Sequence, residues 1–231
     1  MTVSKDSVAR RTVPRLVVLS GRLDGRAKLG ARARRALGRR GRVELFLAFD
    51  DAVSAYALID LADRVAGRDV QLAAYPVVRR GIPDDPAMED KRSYAVEDAG
   101  RLGRRRGLVR TRTRPIAPEE TAFLAAWVAA APATPARLRF AVAAAERLWF
   151  ADADGPVDRD AYAALWRAEL GGDPLAGDAG DRAVRANERR MARRGPYDTP
   201  AAWVHGQWFF AQDRGPQIAA RLDDLGWTVA A

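Results

Sequence analysis

The chain of 231 residues contains no cysteine and a single histidine, His205. Without cysteine it cannot form a disulfide, offer a thiolate nucleophile or exchange disulfides through a CxxC pair. One histidine cannot build the His/Cys ligand set that holds zinc. No carboxylate spacing indicates another metal, so we expect none. The sequence therefore excludes disulfide oxidoreductases as a function class, and we do not expect a zinc enzyme.

Long apolar runs are also missing, and positive charge is unevenly distributed. No stretch of about 18 apolar residues occurs, so we expect no membrane span and a cytoplasmic protein. Residues 1–42 carry 13 Lys/Arg and 2 Asp/Glu, a net charge of +11, whereas residues 43–231 carry 26 and 28. Residues 1–42 have no aromatic side chain to stack on a base, so nucleic acid is not an expected partner. We interpret them as a basic N-terminal extension.

The hydrophobic pattern after this extension predicts a βαβ unit. Residues 43–49 are apolar on both faces except for Glu44, which is typical of a buried central strand. A helix is predicted over 55–66, with Asp51 as its N-cap. A second strand is predicted over 70–76, which completes the unit.

From residue 85 to residue 194 only helical periods occur. Five helices are predicted, near 88–106, 118–130, 135–150, 158–170 and 178–194. These helices cannot bury their apolar faces alone and should pack over one edge of the sheet.

The last part of the chain predicts a hairpin and a helix. Two short strands over 201–205 and 207–211 are joined by a tight turn at His205-Gly206, and a helix over 216–225 follows. The order βαβ, helices, ββα predicts an α/β protein with a thioredoxin-like fold and an all-helical insertion. The thioredoxin-like domain then comprises 43–84 and 195–231, and the insertion comprises 85–194.

Three short motifs carry a family resemblance. Lys91, Tyr94, Asp98 and Arg101 form the pattern Lys-x-x-Tyr-x-x-x-Asp-x-x-Arg. Thr199-Pro200, just before the first hairpin strand, resembles the cis-proline of thioredoxin-like proteins. The third motif is the segment 206–214, which follows it in the chain. Together they resemble the 2-hydroxychromene-2-carboxylate isomerase and kappa-class glutathione transferase family.

That resemblance implies a DsbA-like fold, a homodimer and use of glutathione or a related small thiol. It also implies an isomerase or transferase reaction on a small molecule, here an anionic aromatic compound. The family carries Ser-Pro-Tyr after the first strand, and this serine helps to hold the thiolate. This chain has no such tripeptide.

Two alignments of the missing tripeptide remain open. Without a gap, Asp51 takes the serine position; with a slip of three residues, Ser54 takes it. A serine hydroxyl donates a hydrogen bond to a thiolate, whereas an ionised aspartate repels it. Asp51 and Ser54 are therefore the two candidate catalytic residues, and each also has a structural interpretation, Asp51 as an N-cap and Ser54 as a first-turn serine.

The other candidates fall into two groups. Lys91, Tyr94, Asp98 and Arg101 share one helix face, which either lines a substrate cleft or forms an ion-paired packing face. The resemblance assigns thiol binding to Thr199, Pro200, Gln212 and Asp213, with Asp213 accepting from the γ-glutamyl amino group or merely capping a helix. The alternative to an enzyme is a non-catalytic binding module whose basic extension contacts an acidic partner.

Overall fold

A computed structural model of the chain describes residues 24–82, 84–175 and 177–229. The elements in chain order are α1 (Asp24–Ala36), β1 (Gly41–Leu47), α2 (Ala52–Val65), β2 (Val70–Pro76), α3 (Met88–Arg104), α4 (Pro118–Ala130), α5 (Pro135–Glu146), α6 (Arg159–Leu170), α7 (Ala179–Arg194), β3 (Ala201–Val204), β4 (Gln207–Phe210) and α8 (Gly215–Asp224). A π-helical turn, Arg147–Ala151, continues α5.

The four strands form one sheet in the order β2-β1-β3-β4. β1 pairs in parallel with β2 and antiparallel with β3, and β3 pairs antiparallel with β4. The βαβ and ββα halves thus share one sheet, which confirms the thioredoxin-like fold with a helical insertion. The five predicted helices of the insertion are all present, within a few residues of the predicted bounds.

Two boundaries differ from the prediction at the junction of β1 and α2. β1 ends at Leu47 instead of residue 49, although Ala48 and Phe49 remain buried. α2 begins at Ala52 because Asp51 caps it: the Asp51 carboxylate accepts from the Val53 N–H at 3.3 Å. The prediction of Asp51 as N-cap is confirmed, and the helix starts three residues earlier than predicted.

The insertion packs on the edge of the sheet, as predicted, and is tied to the end of β1. Helices α4, α5 and α7 contact β2, the edge strand. The indole N–H of Trp149, in the π-helical turn, donates to the carbonyl of Phe49 at 2.9 Å, and Trp149 is fully buried. This hydrogen bond fixes the insertion against the segment that leads into α2.

The second face of the sheet carries a buried charge. Glu44, in the middle of β1, is 4% exposed and ion-paired with Arg190 of α7, with Arg194 at 3.4 Å and Arg42 at 3.5 Å. Burial raises the pKa of Glu44, but the hydrogen bond and charge of Arg190, with Arg194 and Arg42, outweigh it and lower the pKa overall. α7 is therefore held on this face by arginine–carboxylate pairing.

The described part of the predicted N-terminal extension is packed on the domain. Ala31 of α1 is fully buried, the Arg35 guanidinium donates to the Leu225 carbonyl, and it also lies 5.7 Å from the Trp227 ring centroid. Residues 41 and 42 belong to β1. Residues 1–23 of the predicted extension lie outside the described residues. Among the helices of the described ranges, none is both long enough and apolar enough to span a membrane.

A substitution at Gly215 tests how closely α8 packs against α2. A Cβ at this position would overlap Asp60 Oδ2 and lie 2.5 Å from Arg64 Nε, inside the ion pair that joins these two side chains. Gly215→Ala should lower the free energy of unfolding by about 1–3 kcal/mol, because a buried charge pair must move. Denaturant unfolding of the purified protein measures the change.

Gly30→Ala serves as the matched control for this prediction. Gly30 lies within α1 with nothing within 4 Å of its Cβ position. Alanine there should raise the free energy of unfolding by about 0.5–1 kcal/mol, because it favours the helix. Equal effects of the two substitutions would contradict the close contact at Gly215.

Candidate functional site

The candidate site lies where the first turn of α2 meets the segment before β3. The Asp51 carboxylate accepts from the Ser54 hydroxyl at 2.5 Å and from the Thr199 hydroxyl at 3.4 Å. Asp51 is 8% exposed and Ser54 is fully buried. The two candidates of the alternative alignments therefore belong to one cluster, in which Asp51 contacts Thr199 and Ser54 reaches Asp51.

The pKa of the Asp51 carboxyl group is raised by its surroundings. Burial raises its pKa to about 6, against the lowering effect of Arg80 and of the Ser54 hydrogen bond, while Asp50 and Asp198 raise it further. Its chain neighbour Asp50 is bound by both terminal nitrogens of Arg80, at 2.9 and 2.8 Å. Arg80 thus neutralises Asp50 directly and leaves Asp51 without an ion-pair partner of its own among the described residues.

The segment opposite Asp51 contains the predicted cis-proline. The Thr199–Pro200 bond is cis, so that prediction is confirmed. The Thr199 N–H donates to the Asp198 carboxylate at 2.8 Å, and the Pro200 carbonyl accepts from Ala211 at 2.8 Å. These contacts fix the Thr199 hydroxyl in front of Asp51.

A cavity with two adjoining lobes lies over this cluster. The smaller lobe, here called the proline lobe, has a volume of about 340 Å³, and its lining includes Lys91, Thr199, Phe210 and Gln212. The larger one, here called the arginine lobe, has a volume of about 690 Å³, and its lining includes Arg79, Arg80, Arg92, Glu188 and Met191. Both lobes share a wall formed by Gly81, Met88, Tyr197 and Asp198.

The four predicted residues of α3 divide between the cavity and the surface. Lys91 lines the proline lobe, where it is ion-paired with Asp85. Tyr94 is 62% exposed, and the Arg101 guanidinium lies 5.6 Å from its ring centroid. Asp98 is half-buried, and neither lobe includes it, Tyr94 or Arg101 in its lining.

The predicted thiol-binding residues also divide. Thr199 and Gln212 line the proline lobe, and Pro200 is buried beneath it. Asp213 is exposed, forms an ion pair with Arg214 at 3.4 Å and lines neither lobe. His205 has a positive φ of 42° in the β3–β4 turn and packs on Trp227, and neither lobe includes it.

Sequence reasoning missed the arginines of the larger lobe. Arg79 and Arg80 follow the carboxyl end of β2, which is where ligands bind in parallel sheets, so this position was a usable signal. Glu188 of α7 accepts from the backbone N–H groups of Val78 and Arg79, at 3.3 and 2.9 Å. These two hydrogen bonds join residues that are separated by 110 and 109 positions in the sequence, so no local sequence pattern predicts them.

No cluster of metal-ligating side chains accompanies these lobes. Within the described ranges no three His, Asp or Glu side chains are grouped so as to hold a metal ion.

The buried Asp51 carboxyl generates a prediction for stability against pH. Because its pKa is about 6 when folded and about 3.9 when unfolded, the folded state binds the extra proton between these values. The contribution of Asp51 to the free energy of unfolding should therefore fall as pH rises from 4 to 6 and stay constant above, with a total cost of roughly 3 kcal/mol.

Asp51→Asn isolates this effect, because asparagine keeps the N-cap acceptor and cannot ionise. The variant should exceed the original protein in free energy of unfolding at pH 7, and the difference should shrink towards pH 4. Denaturant titrations across this range measure it, with Asp213→Asn as a control at an exposed acid. A pH-independent difference for Asp51→Asn would contradict a raised pKa.

Comparisons with known proteins agree with the fold. No family model matches the chain, and no curated protein matches it. Among solved structures, a 2-hydroxychromene-2-carboxylate isomerase superposes with a TM-score of 0.65 at 14% identity, covering 80% of this chain and 95% of that one. A probable DsbA oxidoreductase from Streptomyces coelicolor gives 0.60 at 16% identity, covering 80% and 90%.

A third structure extends the likeness. A putative protein disulfide isomerase from Nitrosomonas europaea superposes with a TM-score of 0.54 at 12% identity, covering 81% of this chain and all of that one. At such identities the likeness shows the fold alone. The chain has the DsbA-like thioredoxin fold, with a site that contains no cysteine.

Proposed function

We propose that this protein is a glutathione-dependent isomerase or transferase that acts on a small anionic aromatic compound and has no disulfide-exchange activity. The observation that carries the proposal is the two-lobed cavity over the Asp51–Thr199 contact. One lobe adjoins the polar cluster and the other adjoins the arginines. A thiol cofactor and a second substrate therefore have separate adjoining spaces.

The chemistry of the proline lobe supports a small thiol peptide. Lys91 and Asp85 form an ion pair at the wall, which offers an ammonium and a carboxylate to a zwitterionic γ-glutamyl group, and Gln212 offers an amide that both donates and accepts. Thr199, whose hydroxyl contacts Asp51, lines the same lobe. Glutathione contains two carboxylates, two amides and one thiol. Each of the protein groups named above therefore has a possible partner in glutathione.

The chemistry of the arginine lobe supports an aromatic anion. Arg79 has no ion-pair partner within the described residues, and Arg92 lies 3.8 Å from Asp50, a loose contact. Met88, Met191 and Tyr197 give the lobe apolar walls. A cavity of about 690 Å³ is within the ordinary range for small-molecule sites. Of the structures compared, one is a 2-hydroxychromene-2-carboxylate isomerase.

Calorimetric titration of the purified protein with glutathione tests the proposal. We expect saturable binding with a Kd tighter than about 1 mM, or about −4 kcal/mol. The tripeptide γ-Glu-Ala-Gly, which lacks the thiol, should bind more weakly, because it keeps the carboxylates and amides but cannot reach the Asp51–Thr199 cluster. No heat from glutathione at millimolar concentration would falsify the proposal.

A pair of lobe-filling variants tests the division of the cavity. Gln212→Phe narrows the proline lobe and should weaken glutathione binding about tenfold or more. Ala192→Trp fills the arginine lobe and should leave glutathione binding unchanged within about twofold, while it abolishes binding of salicylate, a small aromatic carboxylate. Calorimetry with each ligand separates the two effects, and loss of both ligands from both variants would contradict separate lobes.

A second candidate function is a thioredoxin-fold binding module without turnover. It is favoured by Ser54, whose hydroxyl is fully buried and donates to Asp51 instead of facing the cavity. The proline lobe is therefore not lined by Ser54, the residue that could replace the serine of the similar family. A module of this kind would contact an acidic partner through the basic surface of α1. The glutathione titration distinguishes the two candidates, because a module of this kind requires no thiol.

A further inference from the structure

Thr199 connects the buried carboxyl group of Asp51 to the proline lobe. Asp51 itself is 8% exposed, and the lining of neither lobe includes it. Thr199 lines the proline lobe and its hydroxyl lies 3.4 Å from Asp51 Oδ2. A hydroxyl donates one hydrogen bond and accepts others, so Thr199 can donate to Asp51 while it accepts from a ligand.

Charged and polar groups face Asp51 from each segment packed against it. Ser54 donates from α2, and Asp50 lies next to it in the chain. Arg80 comes from the segment after β2, and Asp198 precedes Thr199. Arg92 of α3 faces Asp50 at 3.8 Å. Since Asp50 engages Arg80 directly, the charge of Asp51 is the less compensated of the two adjacent carboxylates.

We propose that Asp51 accepts the proton of the bound thiol and that the Thr199 hydroxyl carries this proton from the proline lobe to the carboxylate. The proposal rests on the proposed function, in which the proline lobe binds glutathione or another small thiol. This role requires a carboxylate. A serine at this position could not fill it, because a neutral hydroxyl is too weak a base to take the proton of a thiol.

The proton balance of this step is closed within the site. The S–H bond breaks, and its electron pair stays on the sulfur as a thiolate. The thiol proton passes to the Thr199 oxygen as the Thr199 hydroxyl proton passes to Asp51 Oδ2. The carboxylate becomes a neutral acid, Thr199 is unchanged, and no proton enters or leaves the solvent.

Burial makes this transfer less unfavourable, because it brings the proton affinity of Asp51 closer to that of a thiol, whose pKa is ordinarily about 8.5. A negative charge on Asp51 is desolvated, which raises its pKa to about 6, whereas a sulfur in the lobe has access to water. A thiolate beside an ionised Asp51 would place two like charges together, and the transfer removes this repulsion.

Ser54 has a positioning role in this arrangement. Its hydroxyl is fully buried and donates to the same Asp51 oxygen, Oδ2, that Thr199 contacts. The hydrogen bond fixes the orientation of the carboxylate, with the Val53 N–H holding the other oxygen. Oδ2 is thereby directed at Thr199, which is the geometry that the proton step requires.

Two measurements on the purified 231-residue chain test the proposal together. The ultraviolet absorbance of the thiolate reports whether bound glutathione is ionised. Calorimetry at pH 7 in buffers of different ionisation enthalpy reports the net number of protons exchanged with solvent. Subtracting the result for γ-Glu-Ala-Gly removes the contribution of the amino and carboxyl groups and leaves that of the thiol.

We expect a thiolate signal without net release of the thiol proton. A thiolate signal with release of about one proton would overturn the proposal, as would glutathione bound as a neutral thiol. If glutathione does not bind at all, the proposed function fails instead, so the two failures are distinguishable.

Three variants locate the acceptor. Asp51→Asn should either lose the thiolate signal at pH 7 or release about one proton as the thiolate forms. Thr199→Val, which keeps the shape and backbone but removes the hydroxyl, should behave in the same way and stands in if Asp51→Asn does not fold. Glu119→Gln, at an exposed acid of α4 outside both lobes, should match the original protein. A thiolate without proton release in Asp51→Asn or Thr199→Val would refute the assignment.

Discussion

Two adjacent carboxylates at the end of the first strand, Asp50 and Asp51, organise the whole site. Like charges on neighbouring residues repel, and this chain separates them by giving each a different set of partners. Asp50 binds the fork of Arg80, which fixes the segment after β2. Asp51 caps α2 and contacts Thr199, which fixes the segment before β3. Three segments that are distant in sequence therefore meet at one junction, and the cavity opens above it.

The position of this junction is itself secured by packing. The Trp149 indole N–H binds the carbonyl of Phe49, one residue before Asp50, and so ties the insertion to it. On the other face of the sheet, Glu44 holds α7 through Arg190 and Arg194. α7 in turn supplies Met191 and Glu188 to the arginine lobe. The helical insertion is thus part of the site and not an appendage to the sheet.

Asp51 illustrates how a site residue acts against stability. A buried carboxyl with a raised pKa destabilises the folded state at neutral pH, and asparagine would serve equally well as an N-cap. The chain nevertheless keeps an ionisable group next to the Thr199 hydroxyl. In the mechanism that we propose, this carboxyl accepts the proton of the bound thiol, which an asparagine amide could not do.

Local features of the sequence were sufficient for the fold and for some of the site. The apolar pattern of 43–49, the helical periods of the insertion and the capping residue Asp51 each depend on near neighbours, so they were predictable. The face shared by Lys91, Tyr94 and Arg101 was also predictable, since helical spacing determines it. Which way that face points was not, and only Lys91 reaches the cavity while Tyr94 and Arg101 stack at the surface.

The sequence by itself determined that the chain has no cysteine thiol of its own and that the elements follow the order βαβ, helices, ββα, because composition and periodicity are properties of the chain alone. Only the tertiary structure decided how Asp51 and Ser54 share one cluster with Thr199, and which arginines line the larger lobe. Those relations depend on burial and on contacts across 100 or more residues, such as Thr199 with Asp51 and Glu188 with Arg79. Desolvation of a carboxyl group arises only when distant segments close around it, and no local pattern encodes it.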